Sequence, residues 1–320
     1  MRILLWHMHG TWTTAFVQGG HDYLIPLLPG RPPDGRGRPS RPGTFDQPPF
    51  DWPPGAVEMT PSTLHAAADG IDVAIAQRPE DLHLIDRWTG RAPGAELPTV
   101  YVEHNTPPAG IAEPPHPAAE VPGITVVHVT HFNDLFWDCG KRRTEVIEHG
   151  LPDPGYRYTG DLPAAAAVIN EPVRRGRVTG TDLLRAAREK MPVDLFGLGT
   201  EPLGGTDLPH SGLLDELPRR RVYLHPVRWT SLGLSLIEAM HLGMPVAALA
   251  TTEVPAAVPP AAGVTSTDFA AVTRDCRELI ADPEAARRAG RAAREHALAR
   301  YGLNRFLADW DRLLSEVASG

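Results

Sequence analysis

One carboxylate, Glu238, stands alone in "LGLSLIEAMHLGMPVAALA" (232–250), where no other side chain carries a formal charge. Burying it without a partner would cost several kcal/mol, about the penalty for an unpaired buried charge. Two ribose hydroxyls would satisfy it; the alternative is that it turns outward to water. Upstream, "INEPVRRGRVTGTDLL" (169–184) carries Arg174, Arg175 and Arg177 within four positions. A guanidinium suits bidentate phosphate binding, and a solvated basic loop is the alternative for any one of the three. His104 ends the apolar run "TVYVEH" (99–104) beside Glu103, and without further context a histidine there reads as a satisfied turn residue.

Other chemistries fit less well. "DWD" (309–311) resembles a metal-binding carboxylate pair, but it lies in a helical pattern, where residues two apart point to different faces. "HMH" (7–9) and "HVTH" (128–131) lack an accompanying Cys or carboxylate cluster, so no metal is expected. "GLGTEPLGG" (197–205) imitates a dinucleotide loop, yet no helical pattern follows and Pro202 opposes one, which leaves a nicotinamide enzyme as a weak runner-up. A net charge of -8 disfavours a broad nucleic-acid surface. The two cysteines, Cys139 and Cys276, show neither metal spacing nor a disulfide framework and read as buried free thiols in a reducing compartment. "MRILLWHMHG" is too short and too polar for a signal peptide or a membrane span, so a cytoplasmic protein is expected, with peripheral membrane attachment left open. The Pro, Arg, Ala and Gly bias, with 34 Pro and 30 Gly, fits a GC-rich genome such as an actinobacterium's.

Those residues need a frame, and 320 residues exceed what one core usually organises. Uninterrupted apolar runs at 2–7, 72–77, 99–104, 124–129 and 144–149 suit strands buried on both faces of a parallel sheet. After a Pro- and Gly-rich linker (150–160), a second set follows at 165–170, 193–197, 222–225 and 246–250. Two α/β domains in series are expected. Leu303, Phe306, Leu307, Trp310, Leu313, Leu314 and Val317 recur at helical spacing, and 283–300 is rich in Ala and Arg, so the C-terminus should be helical. Residues 29–55 hold too many Pro and Gly for a helix and read as a long loop, either an excursion or a cover over a substrate. Glu238 falls in a short helix between two strands, with a tight turn at Gly233, Ser231 or Ser235 as cap, and Gly243 and Pro245 ending it. Such a helix, beginning beyond a strand's carboxyl end, offers unpaired N–H groups to anions.

In this region the chain resembles the retaining GT-B glycosyltransferases of family 4, whose second domain carries a Glu, seven residues, then Glu signature on a loop entering a helix. "TSLGLSLIEAMHLGMPVAALATTE" (230–253) matches in Gly233, Leu234, Ser235, Glu238, Ala239, Met240, Gly243, Pro245 and Val246. "VIEHG" (146–150), "VDLFGLG" (193–199), "YVEHNTP" (101–107) and "RYGLNRFLADWDRLL" (300–314) extend the likeness over most of the chain, most weakly over 29–70. The resemblance implies a GT-B fold, with two Rossmann-like doubly wound parallel-sheet domains facing across a cleft. Residues 1–152 would form the acceptor domain, completed by a C-terminal helix (303–320), and 153–302 the nucleotide-sugar donor domain.

The resemblance also implies roles. Glu238 would bind the nucleotide ribose, and the segment of Ser231, Leu232, Gly233, Leu234 and Ser235 would receive the distal phosphate. His104 would lie beside the donor sugar, and the loop 7–20, with Gly10, Thr11, Gly19 and Gly20, near acceptor and phosphate. Arg174, Arg175 or Arg177 would stand in for the Arg and Lys that neutralise the diphosphate; Thr179 occupies the position before Gly180. Thr230 replaces the first signature Glu near the donor sugar. The implied activity is metal-independent, cofactor-free retaining transfer from a nucleoside-diphosphate sugar to a hydroxyl of a small-molecule, glycan or lipid-linked acceptor. The alternative that Thr230 raises is a weak or inactive relative that binds sugar nucleotides or glycans.

Overall fold

In a computed structural model of the protein, residues 1–39, 51–108 and 113–319 are described. Residues 40–50 of the expected long loop lie outside them. The chain runs β1 (Arg2–Leu5), α1 (Gly10–Phe16), β2 (Asp22–Pro26), β3 (Ala56–Met59), α2 (Pro61–Ala66), β4 (Val73–Ala76), α3 (Pro79–Thr89), β5 (Thr99–Glu103), β6 (Thr125–His128), α4 (His131–Phe136) and β7 (Arg143–Val146). It continues through β8 (Leu162–Val168), α5 (Pro172–Arg175), α6 (Thr181–Arg188), β9 (Val193–Phe196), α7 (His210–Glu216), β10 (Arg220–His225), α8 (Leu234–Leu242), β11 (Val246–Leu249) and α9 (Val254–Ala257). Last come β12 (Gly263–Ser266), α10 (Phe269–Ala281), α11 (Pro283–Arg300) and α12 (Leu303–Ser319). Two compact units result, one holding the described residues up to Leu151 with those from Leu303 on, the other holding Pro152–Gly302.

The first unit is a seven-stranded parallel sheet in the order β3-β2-β1-β4-β5-β6-β7. Alternation along β1 sends Ile3 and Leu5 into one core and Leu4, with Trp6 just beyond it, into the other. On the first face α12 packs Phe306, Trp310, Leu313 and Leu314 against Trp12 and Phe16 of α1, the face its spacing foretold. In the "DWD" segment Asp309 pairs with Arg305 at 2.8 Å and Asp311 with His21 at 2.9 Å, each on its own side of α12.

The second unit is a five-stranded parallel sheet in the order β12-β11-β10-β8-β9. The Ala165–Ala167 stretch of β8, between β10 and β9, is fully buried. Sequence patterning misses β2, β3 and β12. In β2 the terminal Pro26 breaks the apolar run, whereas β3 and β12 are edge strands of mixed, half-exposed side chains. Among the described residues of 29–55, a 3-10 turn forms at Pro33–Gly35, and Trp52 is buried with its indole N–H donated to Thr14 Oγ1 at 3.0 Å. Cys139 and Cys276 are buried free thiols, each pushed up to about 12 chiefly by burial. Among the described residues no helix is long and apolar enough to cross a membrane, and no three His, Cys, Asp or Glu side chains are grouped to hold a metal ion.

Candidate functional site

In an open parallel sheet, the chain leaves adjacent strands in opposite directions at one point, and ligands bind beyond the strands' carboxyl ends there. In the second unit that point lies between β8 and β10. The segments leaving these strands carry the arginine trio after β8 and residues 226–233 leading into α8 after β10.

Glu238 sits in the second turn of α8 with 9% of its surface exposed, so it does not turn out to water. Its Oε1 lies 3.0 Å from Nε2 of His210, the first residue of α7. Nε2 is buried and not aligned on the oxygen as a hydrogen bond requires, so the two meet as a charge contact. Burial pulls the His210 pKa down, but the charge and proximity of Glu238 more than reverse this and leave it raised. Nothing in the spacing of the sequence marked His210; only the fold brings it across 28 positions.

The entry to α8 differs from expectation. Gly233 is the N-cap and has no side chain to cap with, and Ser235 lies inside the first turn of α8 rather than ahead of it. Ser231 is buried, and the Ser235 hydroxyl instead meets the buried Tyr223 hydroxyl at 2.9 Å. Gly233 is no tight turn either: its φ of -71° is open to any residue. What demands glycine is space, since a Cβ there would lie 2.9 Å from Cε1 of His225. That ring is buried with neither nitrogen partnered, and burial lowers its pKa to about 4, so it is a neutral packing element under the loop. The amides of Leu234 and Ser235 open α8, where backbone N–H groups have no partner within the helix and the dipole favours an anion. Leu232 is buried behind them, and at the far end Gly243 closes the helix in the left-handed conformation at φ 91°.

The structure separates the three arginines. Arg174 is tied to Glu171 through Nε at 2.9 Å, and Arg177 pairs with Asp182 at 3.0 Å; both are exposed. Arg228 also grips Asp182, at 2.6 and 2.8 Å. Arg175 is half-buried and has no side-chain partner among the described residues. Burial, and then the charge of Arg174, depress its pKa, the mark of a cation lacking its counter-ion. The preceding Glu171 holds a left-handed φ of 53°, a strained conformation for a residue with a Cβ. Thr230 is half-buried in the loop between β10 and α8.

In the first unit the corresponding point lies between β1 and β4. His104 follows β5, is buried, and bonds through Nε2 to Gln77 Oε1 at 3.1 Å. Burial first, and then the charges of His9 and His149, hold its pKa well below the usual imidazole value. The neighbouring Glu103 is already engaged: Oε1 accepts from the Asn105 N–H at 2.6 Å, and Oε2 lies 3.2 Å from His116 Nε2. The segment 7–20 is not one loop. Gly10 and Thr11 begin α1 at the carboxyl end of β1, whereas Gly19 and Gly20 follow α1 at the opposite edge of the sheet, before β2. A Cβ on Gly19 would lie 2.5 Å from the Tyr23 hydroxyl, so packing accounts for that glycine. The helix between them thus separates the two pairs.

No family model matches the chain, and no curated protein matches it. Solved structures do. A sucrose-phosphate synthase from Thermosynechococcus elongatus superposes with a TM-score of 0.70 at 14% identity, over 100% of this chain and 99% of that one. Anabaena HepE, solved in complex with UDP-glucose, gives 0.69 at 15% identity over 99% of this chain and 100% of that one. A glycosyltransferase from Rickettsia africae gives 0.62 at 12% identity over 99% and 98%. At such identities the likeness carries the fold, and the two parallel-sheet α/β units are those of GT-B glycosyltransferases.

Proposed function

We propose that this protein is a nucleoside-diphosphate-sugar-dependent glycosyltransferase of the family 4 type, acting with retention of configuration on an acceptor hydroxyl. The observation that carries the reading is the buried carboxylate of Glu238, placed in the second turn behind the N-terminus of α8 at the β8/β10 point, with Arg175 on the adjoining segment. The ribose hydroxyls would donate to Glu238, the amides at the head of α8 would receive the distal phosphate, and Arg175 would supply the positive charge. Helix dipole and guanidinium then stabilise the leaving diphosphate with no metal or cofactor called upon. In the same-face substitution this assumes, the bond from the anomeric carbon to the phosphate oxygen breaks as the bond to the acceptor oxygen forms. The departing phosphate oxygen takes the acceptor's proton. His104 would face the donor sugar, and the start of α1 with Gly10 and Thr11 would serve the acceptor. HepE has been solved in complex with UDP and glucose and with UDP-glucose, which favours a nucleotide-sugar donor here.

Glu238→Ala is expected to weaken UDP binding by about 1 to 3 kcal/mol, roughly 5- to 150-fold, the cost of losing charge-assisted hydrogen bonds. Calorimetry with the nucleotide checks this, and unchanged affinity refutes the ribose role. A second reading has one observation behind it: Thr230 stands where the resemblance leads one to expect an acid, which suits a protein that binds a sugar nucleotide or glycan without turnover. Incubation with UDP, GDP, ADP and TDP sugars separates the two. Nucleotide release supports the transferase, and binding without release supports the binder.

A further inference from the structure

Two histidines feel the charge of Glu238, and the structure sets them apart. His241, further along α8, is fully buried, and its Nδ1 donates to the Ile237 carbonyl at 2.9 Å. Burial lowers its pKa, so it stays neutral. His210 approaches from a different helix, with Nε2 3.0 Å from Glu238 Oε1. Burial disfavours a cation there, and so does the dipole at the head of α7, yet the His210 pKa is raised because the attraction of Glu238 outweighs both.

The helix that carries His210 is pinned. Leu214 within α7 and Leu217 just beyond it are buried, and Asp215 pairs with Arg157 at 2.7 Å. The carboxylate of Glu238, in contrast, hangs from two methylenes whose rotamers a helix leaves partly open. Contact with His210 selects among them by holding Oε1. Oε2 is then the oxygen left for a ligand, and the side chain keeps 11% of its surface open to receive one.

We propose that His210 is a positioning residue for nucleotide recognition, anchoring Glu238 through Oε1 so that Oε2 faces the ribose hydroxyls. Anchoring removes in advance the rotamer freedom that binding would otherwise freeze, so the benefit appears as affinity for those hydroxyls alone. The contact between the two side chains stands on the geometry; its ribose partner rests on the transferase reading.

The test is calorimetry of the full chain with UDP and with 2′,3′-dideoxy-UDP, which lacks both ribose hydroxyls. Wild type should bind UDP the more tightly. His210→Ala should weaken UDP about fivefold, the scale of one impaired hydrogen bond, while the dideoxy nucleotide changes less than about twofold. A merely structural role, in which the substitution loosens α7, would weaken both nucleotides alike. Should the alanine variant not fold, His210→Phe keeps a packed ring and removes the nitrogen, and the same pattern is expected of it. In a Glu238→Ala background the histidine has nothing to hold, so adding His210→Ala should change UDP affinity less than about twofold. Equal losses for the two nucleotides, unchanged or tighter UDP binding in His210→Ala, or the same loss in the Glu238→Ala background overturns the proposal. Equal binding of the two nucleotides by wild type overturns the ribose role of Glu238 itself, whereas a preference for UDP that His210→Ala leaves intact overturns the proposal alone.

Discussion

Gly233→Ala pits two effects against each other, and the structure says which should win. At φ -71° the backbone accepts alanine, so the loss of unfolded-chain freedom would by itself stabilise the fold by about 0.4 to 1 kcal/mol. Against this, the new methyl would lie 2.9 Å from Cε1 of His225, closer than carbon atoms tolerate. His225 ends the central strand β10 and is fully buried, so its ring cannot withdraw without disturbing the core. Overpacking of this kind costs about 1 to 3 kcal/mol, which leaves a net loss of about 0.5 to 2 kcal/mol. For a unit of this size that corresponds to a melting temperature lower by roughly 2 to 6 °C. UDP affinity should fall as well, since the displaced backbone carries the amides assigned to the phosphate. Circular dichroism melts and calorimetry with UDP give the two numbers. Adding His225→Ala opens the space, so the double variant should be at least about 1 kcal/mol more stable than the two single effects summed. A Gly233→Ala protein as stable as wild type, or strictly additive effects, would show that the ring does not dictate the glycine.

Arg175→Ala should weaken UDP binding about tenfold or more, as expected for a lost charged hydrogen bond, while Arg174→Ala changes it less than about threefold because that side chain is spent on Glu171. Equal effects would remove the distinction drawn between them. Stability should fall as pH drops from about 6.5 to 5. Burial holds His128 and His225 down to about 4 and His149 to about 3, so the unfolded chain takes up protons that the folded chain refuses. Each such imidazole adds up to about 1.4 kcal/mol of loss per pH unit. His210, whose pKa is raised, contributes its stability fully below about 6.5 and loses it only as pH rises, so it does not cancel this trend. Urea midpoints at pH 7 and pH 5 check the sign, and an unchanged or higher midpoint at pH 5 refutes it.

Much of the fold was legible because strands buried on both faces must be apolar throughout: β1, β4, β5, β6 and the alanine run of β8 stand out for that reason. Edge strands lack this constraint, and so β3 and β12 carry no comparable signal. Glu238 was legible by the same logic inverted, as a charge where the periodicity allowed none. Its neighbour His210 was not, because an exposed-looking "LPHSG" acquires meaning only once α7 is laid beside α8. Ser235 misled because a serine near a helix start satisfies the capping rule in sequence, whereas here it falls inside α8 and its hydroxyl accepts from Tyr223. Gln77 left a fainter trace, as the polar residue ending "DVAIAQ". Its bonds to the Trp6 carbonyl and His104 needed the strand order, which sets β4 between β1 and β5.

No acid on its own loop stands in for Thr230. Between β10 and β11 the only carboxylate is Glu238, and it is committed to the helix interior. A threonine hydroxyl can exchange hydrogen bonds with a sugar hydroxyl but cannot supply the charge that an acid would place beside the ring. If the protein turns over a donor, the positive character that develops at the anomeric carbon must then be balanced by the departing diphosphate itself, held on the same face. Transfer should accordingly depend more steeply on Arg175 and the α8 amides than on residue 230. The comparison of Arg175→Ala with Thr230→Ala in a nucleotide-release assay reads this directly: the arginine variant should lose the larger factor in kcat, and the opposite order would mean that residue 230 governs the chemistry after all.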